Sequence, residues 1–295
     1  MLTRSRLKEV FSRYGFSPLK RFGENYLIDG NIKDKIITRM QLAKSDVVLE
    51  IGPGLGALTI DLAERGVSIF AVEKDRKAFE ILVDLVGDRF PNLKLFNEDI
   101  LKFDLNGIFE ILSNGRAGLN LPYCGQERRR IKVVGNLPYY ITAPAIEYII
   151  ENRKLVKMAL IMVQKEVAMR LLAKPGTDDY GSLSCFVQYH AEPEYVHTVK
   201  RTCFYPAPEV NSAIVKLDLL DSPSVKVKDE ELFFKIIRGA FNQRRKSVIN
   251  SLSREEVLKV SKDKLHAMLC SAGIDPRARP ECLSLADFAK IANVA

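Results

Sequence analysis

The sequence of 295 residues predicts an α/β domain built on a mostly parallel sheet, with a small helical domain at its carboxyl end. Three observations predict it. Short apolar runs of β character recur through the first 220 residues with helical patterns between them. A glycine turn, Gly52-Pro53-Gly54-Leu55-Gly56, joins one such run to a helix. After Asp221-Ser222-Pro223-Ser224 the strand-like runs cease, and apolar positions fall at helical spacing.

Each element follows in order. Asp46-Val47-Val48-Leu49-Glu50-Ile51 reads as a buried strand, and Ala57 to Arg65 as the helix after the glycine turn. Val67 to Val72 is the second strand and Arg76 to Val86 the next helix; Leu93 to Phe96 is the third strand and Ile131 to Val134 the fourth. Lys157 to Val163, Tyr195 to Val199 and Ala213 to Leu219 bring the total to seven strands. Apolar strands that alternate with helices need cover on both faces, which is the signature of a parallel sheet. Residues 106–130 fit neither pattern. They carry Gly107, Gly115, Gly118 and Gly125 and end in Arg128-Arg129-Arg130, so they are expected to be a surface insertion. Beyond the linker, Phe233, Phe234, Ile237 and Phe241 mark one helical face. The expected domains are therefore 1–220 and 221–295.

Composition excludes several classes. With 47% hydrophobic residues the chain can bury a sizeable core, yet no run of about 18 apolar residues exists to span a membrane. The amino-terminal stretch has charge without a following apolar core, unlike a secretory signal. Five cysteines, no C-x-x-C spacing and three scattered histidines point to reduced thiols in cytoplasm and to no zinc site. The formal charge of +8 is concentrated at the two ends: residues 1–45 hold ten Lys/Arg against four Asp/Glu, and residues 221–295 hold fourteen against ten. Basic ends around a near-neutral middle are suited to a polyanion.

Gly52, Gly54 and Ala57 satisfy the dinucleotide fingerprint, and Glu73 lies where a ribose-binding acid belongs. A nicotinamide enzyme is thus one reading. Pro53 weighs against it, because it removes an N–H that a pyrophosphate would need. Glu50 would place a carboxylate against that pyrophosphate, whereas beside the ammonium and sulfonium of S-adenosyl-L-methionine the same charge is favourable. Glu73 could accept ribose hydroxyls, and Asp99, after the third strand, the adenine amino group of the cofactor. The three acids end three successive strands on the edge where open α/β sheets bind ligands.

An Asn-Leu-Pro-Tyr tetrad occurs twice. Asn136-Leu137-Pro138-Tyr139 leaves the fourth strand on that same edge; Asn120-Leu121-Pro122-Tyr123 follows no strand and has nothing to aim it. The tetrad is suited to holding the exocyclic amino group of a flat base. The Asn136 side-chain carbonyl and the Leu137 backbone carbonyl would accept both amino hydrogens, while Pro138 stiffens the backbone. Tyr139 and Phe204 are the expected stacking faces for the base, and an ordinary core role suits Tyr140 better than either of them.

With these segments in view the chain resembles the bacterial small-subunit ribosomal RNA adenine dimethyltransferases. The likeness runs from Phe22-Gly23-Glu24-Asn25-Tyr26-Leu27 to the closing helices. It includes Gln164-Lys165-Glu166-Val167-Ala168, Tyr180-Gly181-Ser182-Leu183-Ser184 and Phe204-Tyr205-Pro206-Ala207-Pro208 with Val210 and Ser212. Ala240-Phe241-Asn242-Gln243-Arg244-Arg245-Lys246 and Pro276-Arg277-Ala278-Arg279-Pro280-Glu281 complete it. The resemblance implies a class I S-adenosylmethionine-dependent methyltransferase fold, Rossmann-like, with a seven-stranded mostly parallel sheet. It implies dimethylation at N6 of two adjacent adenosines near the 3′ end of 16S rRNA, within an immature small ribosomal subunit, by a monomer. Carried over by position, cofactor contacts fall at Asn25, Leu27, Gly52, Glu73, Asp99 and Asn136. Glu24, Glu209 and Asn211 depart from the family's usual residues.

Arg244, Arg245, Lys246, Arg277 and Arg279 are the candidate phosphate contacts. Other readings are a methyltransferase of large-subunit rRNA, the nicotinamide enzyme, and a non-enzymatic assembly factor.

Overall fold

The computed structural model describes residues 3–18, 25–113, 130–254, 258 and 260–295. The chain separates into two compact units, residues 1–165 with 194–219, and residues 166–193 with 220–295.

The first unit is organised by a seven-stranded sheet. In chain order its described strands are β1 (Tyr26–Leu27), β2 (Val47–Ile51), β3 (Ser68–Glu73), β4 (Leu93–Asn97), β5 (Ile131–Asn136), β6 (Val156–Gln164), β7 (Ala191–Val199), β8 (Phe204–Tyr205) and β9 (Ser212–Leu219). The sheet order is β4-β3-β2-β5-β6-β9-β7. Pairing is parallel from β4 through β6, and β9 runs antiparallel to β6. β1 and β8 form a separate antiparallel ribbon. Every residue of β2 and β3 is buried, which is why these strands are continuous apolar runs rather than alternating ones. The chain order reverses on either side of β2, between β3 and β5, and that switch point opens a crevice at the strands' carboxyl ends.

Close strand approach explains one glycine. Gly135 of β5 lies opposite Ile51 of β2, and a Cβ there would sit 2.8 Å from the Ile51 carbonyl oxygen. That atom belongs to a central strand and cannot give way.

The expected insertion over 106–130 is corrected in part. Leu105–Ser113 is a helix with Leu105 and Ile108 buried. Gly107 masked the pattern, but in a helix's first turn a glycine costs little, and the apolar spacing prevails. Residues 114–129, including the tetrad copy at Asn120, lie outside the described residues, as does Phe22-Gly23-Glu24.

Among its described residues the second unit is helical apart from the first residues of β7. Its core gathers Tyr180, Cys185 and Tyr189 with Phe233, Ile237, Phe241, Leu269 and Phe288. A single cut near residue 220 therefore does not describe the division, because the aromatic faces of 166–193 are buried against the later helices. The expected face at Phe233, Ile237 and Phe241 lies on the helix Glu230–Phe241, whose N-cap Asp229 accepts from Leu232 N. Arg244 to Lys246 follow that helix in a turn.

Candidate active site

The crevice of the first unit encloses about 1070 Å³ of empty space, its mouth included. Asn25, Leu27, Glu50, Gly52, Gly54, Glu73, Asp99, Asn136, Leu137, Pro138 and Tyr139, gathered from five separate stretches of chain, all line it.

The glycine turn is built by backbone geometry. Gly52, Gly54 and Gly56 have φ of +65°, +55° and +84°, conformations that side chains with a Cβ resist. A Cβ on Gly54 would also meet the Tyr26 ring at 2.9 Å. The turn thereby directs the Gly54 N–H to Glu73 Oε2 at 2.9 Å, while the Asp75 N–H donates to Oε1 at 2.8 Å. Asp75 itself caps the helix Arg76–Val86 by accepting from Ala78 N. The Glu73 carboxylate is thus aimed by two amides at the crevice it lines.

Glu50 is in a different condition. It is 2% exposed, and its Oε2 has no hydrogen-bond partner within the protein. Burial pushes its carboxyl up to about 8; the neighbouring Thr59 hydroxyl opposes the rise, and the negative charges of Glu73 and Asp61 add to it. A buried acceptor without a donor is costly and marks a place where a ligand completes the site. Asp99 accepts from Leu101 N at 3.1 Å and pairs with Lys74 Nζ at 2.8 Å. Partial burial pushes its carboxyl up, but these donors outweigh it and hold the group below the usual carboxylate range.

At the end of β5, Asn136 Nδ2 donates to the backbone carbonyl of Asn25 at 2.8 Å. A carbonyl only accepts, so this bond fixes which way the amide faces and leaves Oδ1 as an acceptor. Leu137 N donates to Met162 O at 3.1 Å, and Ile141 N to Pro138 O at 3.1 Å. These bonds anchor the tetrad on one side to β6 and on the other to a short turn. The Tyr139 hydroxyl is 2.8 Å from Ser212 Oγ, and burial raises its pKa.

Two aromatic expectations are corrected. Phe204 is 3% exposed and packs in the sheet's core, because its ribbon pairing with Leu27 turns it inward; it does not line the crevice. Tyr140, expected in the core, is 49% exposed and does line it, since the turn after Pro138 carries it outward. The sequence reading also missed Tyr26, Lys74, Asp75, Glu98 and Ile100 on the wall. Asp75 was accessible as an N-cap before an amphipathic run; Lys74 needed the fold to bring Asp99 beside it.

In the second unit the candidate phosphate contacts divide. Arg244 Nη2 donates to the carbonyls of Asp178 and Tyr180 at 2.5 and 2.7 Å, so this guanidinium ties down a loop. Arg279 pairs with Glu281 at 3.6 Å. Arg245, Lys246 and Arg277 have exposed side chains.

A buried carboxyl with an unpartnered oxygen, a carboxylate pinned by amides and a glycine cradle fit S-adenosylmethionine. Fold and site together define a class I S-adenosylmethionine-dependent methyltransferase. The pattern that describes ribosomal RNA adenine dimethylases matches residues 15–295, and the chain belongs to that family. It is 41% identical over 286 residues to ribosomal RNA small subunit methyltransferase A of Alkaliphilus oremlandii, covering 97% of this chain and 94% of the relative. It is 43% identical over 280 residues to the protein of that name in Moorella thermoacetica, covering 95% and 93%. Among solved structures, a dimethyladenosine transferase from Plasmodium falciparum superposes with a TM-score of 0.72 at 26% identity, covering 90% of this chain and 95% of that one.

Proposed function

We propose that this enzyme dimethylates N6 of two adjacent adenosines near the 3′ end of 16S rRNA, using S-adenosylmethionine, on an immature small subunit. The observation that carries the reading is the fixed Asn136 amide, whose oxygen is left to accept in the crevice that Glu50, Glu73 and Asp99 also line. The small-subunit relatives at 41% and 43% identity favour this target over large-subunit RNA. The nicotinamide reading falls with family membership.

Glu73 would hold the ribose hydroxyls of the cofactor, Asp99 its adenine amino group and Glu50 its cationic end. When bound, S-adenosylmethionine supplies an electrophilic methyl on a positively charged sulfur. The adenosine N6 lone pair is delocalised into the ring and must be localised to react. Asn136 Oδ1 and the Leu137 carbonyl do this by accepting the two N6 hydrogens. Pro138, at φ −55°, keeps the two acceptors in register. Tyr139 offers a face to the base, which must first leave its stack at a cost of a few kcal/mol. Orientation carries the acceleration, since well-placed groups supply roughly 7–11 kcal/mol. The methylated nitrogen is acidic enough to release its proton to water, so no strong side-chain base is required. Arg245, Lys246 and Arg277 would meet phosphates.

The test is transfer of labelled methyl to unmethylated small subunits, followed by identification of the modified nucleotide. N6,N6-dimethyladenosine at two adjacent positions is the expected product; label in any other nucleotide or only in large-subunit RNA overturns the reading.

A further inference from the structure

Ser212 has no part in the chemistry above, yet it is fully buried and its hydroxyl meets the tetrad's tyrosine. It opens β9, opposite Gln164 of β6, and the carbonyl of the preceding Asn211 accepts from Lys165 N at 3.0 Å. The Asn211 side chain is fixed in turn, accepting from Arg201 N at 3.0 Å. Ser212 Oγ is therefore an immobile point of the sheet. Tyr139 is the opposite: it lies in a single turn beyond Pro138, half-buried, beside the exposed Tyr140. The 2.8 Å contact between the two hydroxyls ties this ring to β9, two places from β5 in the sheet.

We propose that Ser212 is a positioning residue that locks the Tyr139 ring and thereby determines whether methylation proceeds from the first methyl to the second. The inference rests on the functional reading above. In each transfer the N6 lone pair forms the new N–C bond as the donor's C–S bond breaks, the C–S electrons pass to sulfur, and the proton left on nitrogen goes to water. The two rounds differ in how the base is gripped. Adenosine offers two N6 hydrogens to the two acceptors at Asn136 and Leu137, whereas N6-methyladenosine offers one. After the first round the polar grip has lost a bond, and the stacking face carries a larger share of the alignment. A ring free to tilt therefore slows the second transfer more than the first.

The experiment compares wild type with Ser212→Ala, Tyr139→Phe, the double variant and Ser212→Thr on unmethylated small subunits, quantifying mono- and dimethyladenosine by mass spectrometry through the time course. Tyr139→Phe keeps the ring and loses only the hydroxyl, so it tests the link even where Ser212→Ala folds poorly. Each single variant is expected to raise the mono-to-dimethyl ratio roughly three- to tenfold, the factor that one net hydrogen bond commands. The double variant should exceed neither, because both remove the same bond, and Ser212→Thr should restore the wild-type ratio. Affinity for S-adenosylmethionine, read by calorimetry, should stay unchanged. Wild-type dimethylation with an unaltered ratio in Tyr139→Phe, equal slowing of both rounds, or additive losses in the double variant overturns the inference alone. Absence of methyladenosine with the wild type overturns the functional reading and the inference with it.

Discussion

Replacing Glu50 by glutamine should trade cofactor binding for stability, and the structure sets the size of the trade. Burial lifts this carboxyl from its ordinary 4.5 to about 8. Between those values the unfolded chain has released a proton that the native chain keeps. Native stability consequently falls as pH rises, by about 1.4 kcal/mol per unit, and levels off above the folded value. Over the whole window the loss is at most about 5 kcal/mol, and from about pH 5 to about pH 8 it is roughly 4 kcal/mol. Glutamine mimics the protonated acid and does not titrate. Urea unfolding of cofactor-free protein should show the wild type losing that stability across the range while Glu50→Gln stays nearly level. The same protonation has a binding counterpart. With the carboxyl raised to about 8, the free enzyme keeps this proton at neutral pH, and pairing with a cationic ligand expels it. Calorimetry in buffers of different ionisation enthalpy should register close to one proton released on cofactor binding by the wild type and none by Glu50→Gln, which binds more weakly. Parallel pH–stability curves for the two proteins, or binding without proton release in the wild type, would refute this account of Glu50.

Asn136→Ala should lower single-turnover methyl transfer on the order of 100-fold with a much smaller change in cofactor affinity, while Asn120→Ala changes neither; equal losses from both would refute the assignment of the site to Asn136. Gly54→Ala forces a left-handed φ of +55° on a residue with a Cβ and drives that atom to 2.9 Å from the Tyr26 ring. Calorimetry should find cofactor affinity at least about tenfold weaker, with roughly 1–2 kcal/mol of stability lost. Arg244→Ala should destabilise the helical unit by about 1.5–3 kcal/mol through its two backbone contacts. Arg245→Glu should leave the melting temperature unchanged and flatten the salt dependence of RNA binding by roughly one to two phosphate equivalents; the reverse pattern would reassign the two arginines.

The sheet was legible in the sequence because its strands are buried on both faces. Val47 to Ile51 and Ser68 to Glu73 carry no polar alternation to blur them. The acids at strand ends were legible for the same reason, as charged residues interrupting apolar runs. Phe204 and Tyr140 were not. Whether an aromatic faces a crevice depends on the direction in which a turn or a two-residue ribbon rotates it, and no periodicity exists over so short a span. Arg244 was misplaced because a run of three basic residues reads as one electrostatic feature, whereas only the fold brings carbonyls of Asp178 and Tyr180 to one of the three. The helix Leu105–Ser113 was obscured by Gly107. Residues 166–193 follow the strand β6 in sequence but are held by aromatic packing against helices that come much later in the chain.

The bond from Asn136 Nδ2 to Asn25 ends on a main-chain carbonyl. Any amino acid at position 25 would offer the same oxygen, so a mutational scan of side chains passes over this contact without registering it. What the Asn136 amide senses is which peptide plane immediately precedes β1. Inserting or deleting one residue just ahead of Tyr26 would present a different peptide plane to Asn136 and disarm the tetrad while every catalytic side chain remained in place. At Asn25, then, the register of the main chain counts alongside the identity of the side chain.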